Sequence, residues 1–209
     1  EHAACRATAG EDRTTEARRA QSFLRNLRVL CVSVVIFGQT ARELMQPTFQ
    51  RSSLVTTVGR PLAPAALGVT DAHQHVWIAP VTGGPADAPV LCDRDVIMAG
   101  LTAYCAAGGG GLLDCQPGGC GRDGRELAEL SRRTGVPIIA CTGYHLARYY
   151  PPDFWLWSAS AEAARDTFVA EIVDGLAETR DTDQPVRAGF IKIAIPADPA
   201  ELPAALWAA

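Results

Sequence analysis

The chain has 209 residues, 48% of them hydrophobic and 20% charged, so it can bury a real core and does not read as disordered. A net charge of −4 gives no basic surface for nucleic acid, and the longest apolar run, about nine residues at Val29–Phe37, falls far short of the roughly 20 that cross a bilayer. Of the 19 basic residues, Lys192 alone is lysine, which in so Arg-rich a chain hints at a site where a guanidinium does not serve.

Residues 1–52 differ from the rest. Glu1 to Asn26 is polar and Arg-rich, and the apolar run follows without a clean cleavage site. A poorly defined N-terminal extension is expected there, rather than a secretion signal. From Ser53 the pattern is regular. Val55–Val58 reads as a short strand and Gly59–Pro64 as a turn. A strand over 67–75 carries Thr70-Asp71-Ala72-His73-Gln74-His75. Asp93 caps a helix with Val96, Ile97, Leu101, Tyr104 and Cys105 on one stripe, ending at Gly108–Gly111. Leu112–Cys115 is the second strand. A glycine-rich turn through Gly121 leads to Arg122-Asp123 and a helix with Leu127 and Leu130 inward, closing at Gly135. Val136–Cys141 is the third strand, ended by Thr142-Gly143. An aromatic loop, Tyr144 to Trp157, precedes a helix capped by Ser160 and carrying Phe168, Ile172, Val173 and Leu176. The last strand, Ala188–Ile195, is followed by a proline-broken tail.

Strands alternating with helices argue for a parallel α/β sheet, and near-continuous apolar strands for one buried on both faces. Four βα units are half of an eight-stranded barrel, which takes about 250 residues. Either a smaller open sheet or a barrel stopped midway fits. Seven scattered cysteines, odd in number and without a CxxC pair, read as reduced thiols in a cytoplasmic protein.

On a strand, His73 and His75 share one face about 6–7 Å apart and can bind one metal, or are simply polar residues at a strand end. Phe190, Lys192 and Ala194 share a face opposite the isoleucines 191, 193 and 195, which puts Lys192 inside a barrel. There it needs an acidic partner, loss of its charge, or conversion by CO2 to an anionic carbamate; otherwise it snorkels to solvent. Asp114 is either a partner to a ligand histidine or structural. Asp123 reads as a helix cap. The loop aromatics wall a pocket or pack on the rim.

The stretch from Thr57-Val58-Gly59 to His75, then Gly109–Asp114, Gly118–Asp123, Thr134–Val136, Thr142–Tyr144, Gly175 and Gly189–Lys192, resembles the phosphotriesterase-like members of the metal-dependent amidohydrolases. A His-x-His strand alone also fits TatD-like nucleases, but those need an acid where Lys192 stands. The resemblance implies a TIM (β/α)8 barrel with only about its first four βα units present, over residues 53–209. It implies two divalent metals, zinc first and Mn, Co or Fe as alternatives. His73 and His75 are then metal ligands and Lys192, carboxylated, a bridging and catalytic one; a metal-bridging hydroxide attacks a phosphotriester or lactone-type ester. Tyr144 and His145 become candidates for substrate contact, with Asp114, Arg122 and Asp123 behind the ligands; His145, where the family usually has an aromatic residue, is equally readable as a loop histidine. The family's later ligands, two histidines and an aspartate, have no counterpart here. A non-catalytic remnant serving as a folding or interaction unit is the alternative. The expected partner is a small-molecule ester, with a homodimer possible and neither nucleic acid nor membrane.

Overall fold

The computed structural model describes residues 54–207. The expectations for 1–52, the apolar run among them, lie outside the described residues. Four strands, β1 (Val69–Gln74), β2 (Gly109–Asp114), β3 (Ile138–Tyr144) and β4 (Phe190–Ile193), form one parallel sheet in the order β1-β2-β3-β4. Three helices cross between them: α1 (Arg94–Ala106), α2 (Gly124–Thr134) and α3 (Ala161–Val173). The sheet is a curled half-barrel, the first half of a TIM-type α/β barrel. No helix among the described residues is long and apolar enough to cross a membrane.

The caps are local chemistry. Asp93 accepts from the N–H groups of Asp95 and Val96, Asp123 from those of Arg125 and Glu126, and Ser160 from that of Ala163. Gly135 closes α2 at φ 75°, the left-handed conformation a side chain resists. Between the sheet and α1–α2 lies the main core, with Ile97, Leu101, Leu112, Leu127, Leu130 and Ile138. A second cluster, Tyr144, Tyr150, Leu156, Ala164 and Phe168, fills the space between β3 and α3.

Five expectations need correction. β2 starts at Gly109, not at Leu112, because its glycines let strands approach: a Cβ at Gly110 would lie 1.9 Å from the Leu67 carbonyl oxygen. β3 runs on through Thr142-Gly143 to Tyr144; a Cβ at Gly143 would lie 2.1 Å from the Lys192 carbonyl oxygen, so this glycine admits β4 and does not end β3. Val55–Val58 is no strand but one antiparallel bridge, Val55 to Leu62, with the Val58 N–H donating to Ile138 O. On α1, Val96 and Cys105 are exposed, so the buried stripe narrows to Ile97 and Leu101. Cys105, Cys115, Cys120 and Cys141 are free thiols, whereas Cys92 is disulfide-bonded and departs from the all-reduced reading.

Candidate functional site

In a parallel sheet all strands end on one side, and the candidate residues gather there. His73 lies in β1 and His75 directly after it, with ring centroids 5.6 Å apart. Gly143 pairs with Lys192, so odd-numbered residues of β3 share the face of Lys192. His145 continues that face one residue past β3, and its ring lies parallel to that of His75 at 5.8 Å. Lys192 is 2% exposed, and its Nζ has no hydrogen-bond partner among the described residues. This unpartnered amine beside two imidazoles is the chemical core of the site.

The neighbours fix the imidazoles. Gln116 Nε2 donates to the Cys120 carbonyl oxygen, which turns Gln116 Oε1 toward His75 Nδ1, 2.6 Å away. Nδ1 therefore carries the His75 proton, and Nε2 keeps its lone pair for a cation. Burial, with Lys192 adding to it, pushes His75 down to about 4, and the same two causes lower His73. Both rings are neutral near pH 7, as ligands must be. Burial drives Cys120 up to about 11 and Cys141 upward as well, so these thiols stay protonated. Gln116 escaped sequence reasoning: an amide in a glycine-rich turn has no spacing that marks it.

The other candidates divide by face. Tyr144, 1% exposed, packs on Tyr150 at 5.4 Å and Trp157 at 6.2 Å, on the face of β3 away from Lys192. It does not share the face of His145. Asp114 is fully buried; its Oδ1 accepts from the Val76 N–H at 2.7 Å and so ties down the residue after His75, while burial raises the carboxyl to about 7. Arg122 holds the architecture behind the site. Its guanidinium donates to Cys141 O at 2.7 Å, to both carboxylate oxygens of Glu171 and to both of Glu178 at 2.8 Å. Glu171 also accepts from Thr142 Oγ1 at 2.6 Å. Asp123 is a cap of α2.

Among the described residues no three His, Cys, Asp or Glu side chains form a metal-binding group. Among the described residues the candidate donors gathered at these strand ends are the two imidazoles and Lys192. A neutral His-x-His pair in which the His75 Nδ1 is held by Gln116 suits a borderline cation such as zinc, and a group added at the buried Nζ would supply negative charge.

The family model of the phosphotriesterase family matches residues 52–201. The chain belongs to the phosphotriesterase family. Among curated relatives, an N-acetyltaurine hydrolase of Tetraodon nigroviridis is 29% identical over 154 residues, 59% of this chain and 44% of the relative. A phospho-furanose lactonase of Mycoplasmopsis synoviae (strain 53) is 28% identical over 120 residues, covering 54% and 33%. The solved resiniferatoxin-binding protein of Rhodobacter sphaeroides superposes with a TM-score of 0.55 at 26% identity, over 68% of this chain and 46% of its own. The chain thus spans less than half the length of these relatives.

Proposed function

We propose that this chain carries the first-half ligands of a metal-dependent hydrolase acting on phosphotriester or lactone-type esters. One observation supports the reading above others: among the described residues Lys192 Nζ is buried without a hydrogen-bond partner at the strand ends where His73 and His75 converge. Family membership and two relatives named as a hydrolase and a lactonase point the same way. In the proposed site His73 and His75 Nε2 hold a divalent cation, zinc first and Mn, Co or Fe as alternatives. A cation there supplies Lewis acidity, activating water near neutral pH and polarising the ester oxygen. Lys192 Nζ attacks the carbon of CO2, one N–H proton leaves to solvent, and the resulting carbamate would give the site anionic oxygens. Gln116 keeps the His75 lone pair aimed at the cation, and Asp114 anchors the chain at Val76. The open edges of the sheet are proposed to pair with a second copy.

The test uses the purified 209-residue chain with added zinc, bicarbonate, paraoxon and a lactone panel. Metal content by mass spectrometry is expected near one zinc per chain, falling to background in His73→Ala and His75→Ala. With three of the family's ligands the expected turnover is weak, and it disappears in the same variants. Zinc content unchanged by both substitutions would remove the site. A chain that holds no metal at all would instead support the non-catalytic folding or interaction unit.

A further inference from the structure

The glycine run Gly108–Gly111 and the tyrosine before it, Tyr104, play no part in the cation chemistry, yet they meet the strand that carries His73. Tyr104 lies in the last turn of α1, and its ring fills the space over Gly109, where a Cβ would lie 2.3 Å from the ring carbons Cε1 and Cζ. A glycine leaves room for the ring at that point; a side chain does not. The phenol reaches the seam between β1 and β2. Its Oη accepts from the Asp71 N–H at 3.2 Å and lies 2.8 Å from Gly111 O and 3.0 Å from Val69 O. The one hydroxyl proton serves either carbonyl, so a single oxygen bonds to both strands.

The seam is irregular where the phenol enters. Val69 pairs with Gly109 but Thr70 with Gly111, so Gly110 is an extra residue on β2. Asp71 pairs with Leu112 and Gln74 with Asp114, so β1 then carries one extra residue, at Ala72–His73. The two irregularities compensate, and the register recovers by Gln74. A bulge re-aims the side chains it contains, and His73 stands in the second one. The backbone there leans on side chains. The Asp71 N–H donates to Tyr104, the His73 N–H donates to Asp71 Oδ1 at 3.0 Å, and Gln74 Nε2 donates to Asp71 Oδ2 at 2.9 Å. Hydrogen bonds thus run from Tyr104 through Asp71 to His73, whereas His75 is fixed from another side, by Gln116.

We infer that Tyr104 is a positioning residue: its hydroxyl pins the paired bulges of β1 and β2 and so sets where His73 stands relative to His75. The glycine run is the cradle that admits its ring. The inference rests on the proposed cation site for what His73 does once it is placed, while the placing itself is a property of the chain without metal.

Two variants separate the hydroxyl from the ring. Tyr104→Phe keeps the ring in its cradle and removes the hydroxyl, and Gly109→Ala keeps the hydroxyl but displaces the ring. Leu101→Val, a core change on the same helix, is the control for general loss of stability. In the full 209-residue chain without metal, NMR reads amide exchange at Asp71 and the ring signals of His73 and His75; chelator competition then reads zinc affinity. Tyr104→Phe is expected to speed Asp71 exchange about tenfold, as loss of one hydrogen bond would. It shifts the His73 ring signals more than those of His75 and weakens zinc about tenfold. Gly109→Ala does the same, and adding Tyr104→Phe to it brings no further loss, because both act through one contact. Leu101→Val does none of this. Circular dichroism confirms that each variant is folded. His73 signals that stay in place in Tyr104→Phe, or that move as far in Leu101→Val, overturn the inference, and so does a zinc affinity that Tyr104→Phe leaves intact. A wild type that takes up no zinc removes the cation site alone, and the His73 signals then decide the positioning role.

Discussion

At His75 the position of one proton depends on a side chain 41 residues away. Gln116 is 3% exposed and bonded at both ends of its amide, so it has one orientation and imposes one tautomer on the imidazole. Gln116→Leu is expected to keep the volume and remove that control, freeing His75 to turn and to shift its proton to Nε2. Losses of this kind cost about 10–100-fold in metal affinity. A chelator-competition titration with zinc measures it; unchanged affinity would mean that the amide is merely packing. The proposed ligands were legible as candidates in sequence, because His-x-His on a strand and a lone inward lysine are patterns of spacing. Gln116 was not, because its role exists only once the turn from Cys115 to Gly121 folds back on β1. Tyr144 was legible as an aromatic beside the site but not by face, since the strand was read as ending at Thr142-Gly143 and the alternation was not carried past it.

Between elements, one buried cation ties β3 to the segments packed behind it. Arg122 joins the loop before α2 to the Cys141 carbonyl of β3, to Glu171 of α3 and to Glu178. Burial opposes the charges, yet Glu178 and Glu171 hold Arg122 firmly cationic, and Arg122 keeps Glu171 below the usual carboxylate range despite its burial. Removing one partner of such a group leaves a buried charge under-compensated, which costs about 3–5 kcal/mol. Glu171→Ala should therefore lower stability by about that amount in urea unfolding, with Glu171→Gln in between because its amide oxygen still accepts from Arg122. A loss below about 1 kcal/mol would show that Glu178 alone suffices. The Gly-Arg-Asp text placed Arg122 near the site. Its five-bond role depends on Glu171 and Glu178, 49 and 56 residues on, a distance at which periodicity carries no signal. Helix caps were readable because Asp93, Asp123 and Ser160 bond within three residues of themselves.

Across the whole molecule, four parallel strands in sequential order leave two edges. Among the described residues neither β1 nor β4 has a neighbour on its outer side. Unpaired strand edges are templates for association, and here they carry apolar side chains in water: Val69 of β1 is 72% exposed and Ile191 of β4 48%. The strand order allows closure without reversing the chain. β4 of one copy against β1 of a second continues the parallel sheet, and the return contact is identical, so two copies satisfy all four edges with a two-fold axis. The same seam would set Lys192 of one copy beside the His73–His75 strand of the other. The 209-residue chain is accordingly expected to behave as twice its 22.2 kDa mass in size-exclusion chromatography with light scattering, with a monomer fraction that grows on dilution. Ile191→Lys and Val69→Lys place a charge on each edge and should both shift the population toward monomer without lowering the helical signal. A chain that stays monomeric at about 100 μM, where an edge pairing of even micromolar Kd would be nearly saturated, would show that the edges do not pair with a second copy.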